Sequence, residues 1–190
     1  MTDDLTAQAW ADGLALYEDR WAFAAVARRD HPEWWFDVAA IMRGETADPR
    51  GWASLDPYED ESDREVDAFA WIDPPVHPAD VERFQRSVRE LPRSSVDSFM
   101  VLLGVVGMNA AKTWDFEARR PGMERRALVL LSRFPDGTRF HSNVGWQGER
   151  PNFYEQPVNG VSAFSRSRFD AGLIAVNDAE VALIWTFESF

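Results

Sequence analysis

The chain has 190 residues, 45% of them hydrophobic, with nine tryptophans, thirteen phenylalanines and no cysteine. That is ample material for a packed core and excludes chain-wide disorder, while the missing cysteine excludes a disulfide framework, a thiol nucleophile and a thiolate metal site. A net charge of −12 opposes direct nucleic-acid binding and adsorption to anionic membranes, both of which need lysine and arginine to neutralise phosphates.

The charge is unevenly divided. Residues 1–82 carry twenty acidic and six basic side chains (net −14), whereas residues 83–190 carry twelve and fourteen (net +2), which together give −12. The excess peaks over Asp56–Asp67, where seven carboxylates stand against one arginine. The first ten residues, MTDDLTAQAW, lack the basic and apolar regions of a secretory leader. The longest apolar run, Phe99–Met108, has ten residues, against about 20 for a membrane-spanning helix. A cytoplasmic protein is expected. Nineteen arginines against one lysine, Lys112, point to a G+C-rich coding genome, bacterial or phage. The length fits a single domain over 1–190.

In chain order, Trp10, Leu14, Tyr17, Trp21 and Ala25 recur at helical spacing and predict one amphipathic first helix. Asp30-His31-Pro32-Glu33 is a helix-start pattern. The residues after it, 34–43, are apolar all round and read equally as helix or buried strand. Residues 44–64, rich in Pro, Gly, Asp and Glu, read as a loop, and 65–72 alternate as a strand does. A helix is predicted over 78–91, with Pro78 in its first turn and Val81, Phe84, Val88 and Leu91 on one face. Its arginines Arg86 and Arg89, with Arg93 beyond Pro92, complement the helix dipole. Ser94 or Ser95 opens a central apolar helix running to Trp114, with a strand over 99–106 as the alternative.

The remainder reads as β. RALVLLSRF and TRFHSNVGW, joined by Pro135-Asp136-Gly137, form a predicted hairpin, with Phe140, Ser142, Val144 and Trp146 on one face of the second arm. Residues 147–160 read as a loop and 161–169 as a strand. A second hairpin pairs Gly172–Val176 with Glu180–Phe187 across Asn177-Asp178, with Val181, Leu183, Trp185 and Phe187 alternating. The expected class is α+β: N-terminal helices packed on a C-terminal antiparallel sheet built from hairpins. Residues 1–115 are expected to be mainly helical and 116–190 mainly β.

No nucleophile elbow, phosphate-binding loop or dinucleotide fingerprint is present. His31, His77 and His141 have no metal-binding spacing, and the acidic stretch lacks the glycine of a calcium loop. No metal and no cofactor are expected, and the chain reads as non-enzymatic. Glu59, Glu61, Asp63, Glu65 and Asp67 occupy alternate positions, so an extended chain would carry all five on one side. With Asp56 and Asp60, and with Trp52, Tyr58 and Trp71 as aromatic anchors, they make a candidate surface for a basic protein. The expected role is an inhibitor, immunity or anti-defence module. One alternative is a small-ligand site or enzyme using Arg139, His141, Asn143 and Trp146. Another is a structural subunit whose aromatic residues cover a homo-oligomer interface.

Overall fold

A computed structural model describes residues 6–43, 45–46, 49–55, 78–164 and 169–188. Five helices and six strands follow one another in it: α1 (Ala7–Leu14), β1 (Trp21–Arg28), α2 (Trp34–Met42), β2 (Pro49–Leu55), α3 (Pro78–Ser87), β3 (Arg89–Leu91), α4 (Val96–Leu103), α5 (Phe116–Ser132), β4 (Arg139–Ser142), β5 (Phe169–Val176) and β6 (Glu180–Glu188). The strands form one sheet in the order β2-β1-β6-β5-β4-β3, with every neighbouring pair antiparallel. The fold is α+β.

Helices cover both faces of the sheet. On one face Ala22, Ala24, Val26, Phe140, Leu173, Ala175, Ala182 and Ile184 share a core with α4 and with buried residues of α1 and α5. On the other, Phe23, Ala25, Ala27, Ile174, Val176, Val181, Leu183, Trp185 and Phe187 pack with α2 and with Phe84 of α3. Many antiparallel sheets leave one face to water and alternate polar with apolar residues. Here the central strands are apolar on both sides, and that erases the alternation.

This erasure explains the first departure from the sequence reading. α1 stops at Leu14, a 3-10 turn spans Ala15–Tyr17, and residues 21–28 form β1 where one continuous helix was expected. The alanine-rich run WAFAAVA favours helix intrinsically, but β1 lies between β2 and β6 and is paired along both edges. Tertiary pairing overrides the propensity. Thr6 caps α1, its Oγ1 accepting from Ala9 N at 3.1 Å.

Residues 34–43 resolve as helix, with Trp34, Val38, Ile41 and Met42 buried. The expected loop 44–64 contains β2. Its register against β1 shifts between Val26 and Ala27, leaving one extra residue beside Gly51, and bulges accept glycine. The expected strand 65–72 lies outside the described residues. Helix α3 ends at Ser87, and Arg89–Leu91 is a short edge strand against Phe140–Ser142, not the last turn of a helix. Val88 and Leu91 are drawn into opposite cores, which a strand achieves and a continued helix does not.

The central helix opens after Ser95 but stops at Leu103, far short of Trp114. A side chain at Gly104 would meet the Leu16 carbonyl oxygen at 2.8 Å, and Gly107 takes φ +71°, a left-handed conformation suited to glycine. The larger correction is α5. The expected first hairpin arm, RALVLLSRF, belongs to a 17-residue helix, so Pro135-Asp136-Gly137 joins a helix to a strand. Met123, Ala127 and Leu130 face the core at helical spacing, while Leu128 is 54% exposed. Residues 147–160 hold no strand, and in 161–164 only Val161 pairs, in an isolated bridge to Val144. The C-terminal hairpin is as expected. Asn177 Oδ1 accepts from Ala179 N and Glu180 N, both at 2.8 Å, and forms its turn.

Candidate functional site

Of the expected partner-binding residues, Trp52 lies in β2 at the edge of the sheet, opposite Ala25 of β1. Asp56, Tyr58, Glu59, Asp60, Glu61, Asp63, Glu65, Asp67 and Trp71 lie outside the described residues. Their attachment points are described. β2 ends at Leu55 and α3 begins at Pro78. Phe84 of α3 is buried and packs edge-on against Trp34 and Phe164, at ring separations of 6.3 and 4.8 Å.

The alternative row is divided by the fold. Arg139 is exposed at the start of β4. His141 points into the α2 side of the sheet, where its ring stacks on Trp34 at 4.5 Å and 23°. It is 7% exposed, and its Nε2 has no hydrogen-bond partner among the described residues. Burial, helped by the charge of Arg139, pulls its pKa down to about 4, so the ring is neutral near pH 7. Asn143 is buried in a separate network. Its Nδ2 donates to Asp170 Oδ1 at 3.0 Å and to Ser162 O at 3.1 Å, and its Oδ1 accepts from Gly172 N at 3.0 Å. Asp170 also accepts from Trp185 Nε1 at 3.2 Å and from Phe164 N at 2.9 Å. Trp146 packs into the opposite core, under the Arg89 guanidinium at 4.2 Å, and Arg89 Nη1 donates to its carbonyl at 3.2 Å. The four residues do not line a common cleft.

A second polar cluster sits at the β1–α2 turn. Asp37 is 3% exposed in an otherwise apolar helix. Its Oδ2 accepts from Arg29 Nε at 2.6 Å, and its Oδ1 lies 2.7 Å from His31 Nδ1 and accepts from Asp30 N and His31 N, each at 3.0 Å. The sequence reading assigned this helix start to Asp30 and Glu33, yet Glu33 makes no side-chain cap bond. The available signal was the lone carboxylate in WWFDVAAIM, since a charge is buried there only when partners satisfy it.

An open groove of about 470 Å³ runs between Ala15–Asp19 and α5. Its ion pairs, Arg119–Asp19 at 3.8 Å and Arg126–Glu18 at 3.7 Å, are long and solvent-exposed, and such pairs contribute little. Lys112 is exposed at the end of a short 3-10 turn. Among the described residues no group of three His, Asp or Glu side chains is placed to hold a metal ion, and no helix is long and apolar enough to cross a membrane. In comparison with known proteins, no family model, no curated protein and no solved structure matches the chain.

Proposed function

We propose that the chain is an acidic binding module that occupies a basic surface on another protein. The observation that carries this reading is the concentration of seven carboxylates within the twelve residues Asp56–Asp67. A field so concentrated steers a cationic surface toward it and repels polyanions. The described elements on either side of the stretch are β2, which ends at Leu55, and α3, which begins at Pro78 and which Phe84 anchors against Trp34. Trp52, Tyr58 and Trp71 supply aromatic residues near the charge, the type that anchors protein interfaces. Inhibitors and immunity proteins have this physical character, and cytoplasmic action on a basic partner fits it.

The test compares the wild-type chain with a variant carrying Glu59→Gln, Glu61→Gln, Asp63→Asn and Glu65→Gln, each used as bait in extracts of the source cells. Wild type is expected to capture a basic protein at low salt and to release it at high salt. The variant is expected to capture none, with unchanged circular dichroism and Tm. Equal capture by both baits would remove the proposal.

A second reading, a small-ligand site centred on His141, rests on its buried Nε2 having no partner among the described residues. A neutral imidazole nitrogen there offers one hydrogen bond to a ligand. Native mass spectrometry of protein purified from its source would show a co-purifying small molecule that His141→Phe loses. Identical spectra would exclude it.

A further inference from the structure

The turn joining β1 to α2 carries a histidine that neither reading above uses. His31 Nδ1 lies 2.7 Å from Oδ1 of Asp37, and the ring is 46% exposed while the carboxylate is 3% exposed. Asp37 acts as acceptor toward every other partner, Arg29 Nε and the backbone N–H groups of Asp30 and His31. Nδ1 therefore serves as the donor to Asp37, and in the neutral ring this leaves the lone pair on Nε2. The carboxylate cannot follow a rotating ring, because Arg29 pins it. Arg29 is fixed in turn by bonds to the carbonyls of Asn177, His31 and Pro32 at 3.2, 3.0 and 3.0 Å. A buried carboxylate thus fixes the tautomer and direction of a half-exposed imidazole, the relation that activates histidine in acyl-transfer sites.

We propose that His31 is a nucleophile at Nε2 toward uncharged acyl donors. The Nε2 lone pair attacks the carbonyl carbon, a C–N bond forms, and the C–O bond to the leaving group breaks and takes its electron pair with it. The leaving group takes a proton from solvent. The product is an Nε2-acyl imidazolium whose positive charge faces Asp37 through Nδ1–H. Water then adds to the acyl carbon, the C–N bond breaks with its electron pair returning to Nε2, and one proton passes to solvent, so that the free acid and neutral His31 result. The exposed charged side chains nearest His31 in sequence are Arg28, Asp30 and Glu33, and Nε, Nη1 and Nη2 of Arg29 each donate to Asp37 or to a backbone carbonyl. Like charge therefore selects against anionic donors such as acyl phosphates.

The test uses diethyl pyrocarbonate, an uncharged acylating probe, on the full chain at pH 7, with site-resolved mass spectrometry. His31 is expected to react about fivefold faster in the folded protein than in the same chain in urea, because activation by an oriented carboxylate outweighs partial burial. His141, buried in the folded state, is expected to react more slowly folded than unfolded and serves as the internal reference. Acetyl phosphate, the anionic probe, is expected to show no folded-state gain at His31. Asp37→Asn is expected to lower the folded-state rate at His31 to that in urea. Where circular dichroism shows that this variant has lost the fold, the wild-type folded-to-urea ratio decides. A ratio at His31 of one or less, or an equal gain with acetyl phosphate, overturns the proposal.

Discussion

Gly172 of β5 lies directly opposite Trp185 of β6, and the indole of Trp185 lies against the glycine Cα. A methyl group at position 172 would overlap the ring. The glycine here serves a close approach, since a strand interior otherwise loses stability through it. Trp185 is fully buried, and from this position its Nε1 donates to Asp170 Oδ1 at 3.2 Å. Gly172→Ala is therefore expected to destabilise the fold by about 3 kcal/mol, the upper part of the overpacking range. Urea denaturation followed by tryptophan fluorescence measures it, and a midpoint within error of wild type would contradict the packing described.

His141 makes stability depend on pH. Its folded-state pKa is lowered to about 4 from 6.5 by burial and then by Arg139. Between these values the unfolded chain binds a proton that the folded chain refuses, so stability falls as pH drops from about 6.5 to about 4. The full loss is about 3 kcal/mol, and it is absent above pH 6.5. Urea midpoints measured across this range in wild type and His141→Leu isolate the effect, because the other titrating groups are common to both. The leucine variant should keep that part of the stability at pH 4.5. Parallel curves would show that His141 is not buried neutral.

Asn143 ties β5 to a loop, through Asp170 and Gly172 of the strand and Ser162 of the loop. Asn143→Ala leaves these buried groups unpaired and is expected to cost about 3 kcal/mol. Asn143→Asp keeps the shape but sets a carboxylate against Asp170, 3.0 Å from the present amide. It should be the worse of the two at pH 7 and should recover relative to alanine at low pH. Thermal unfolding at two pH values reads both, and equal losses at both would refute the network.

Leu128 and Leu130 distinguish a helix from a strand over the same residues. In a strand they would share a face. In α5 Leu128 is 54% exposed and Leu130 fully buried. Leu128→Lys is expected to change stability by no more than about 0.5 kcal/mol, and Leu130→Ala to cost about 3 kcal/mol. Similar losses at the two positions in chemical denaturation would restore the hairpin arm.

The sequence alone was sufficient wherever the determining interactions are local. The C-terminal hairpin was legible because Asn177 forms its own turn, and Val181, Leu183, Trp185 and Phe187 do share a core face. The start of α3 at Pro78, the α+β class and the uneven charge were equally legible, since each depends on adjacent residues or on composition. Only the tertiary structure decided β1, α5 and the environment of the histidines. Helices cover both faces of the sheet, so β1 shows no alternation and its alanines resemble a helix. In α5 the buried stripe is Met123, Ala127 and Leu130, while Val129 and Leu131 beside it are part-exposed and blur the period. His31 and Asp37 meet because β1 ends and the chain folds back through Arg29. His141 is sealed by Trp34, more than a hundred residues earlier in the chain. Contacts between distant segments leave no periodic trace in either segment, because periodicity records only which way neighbouring side chains point.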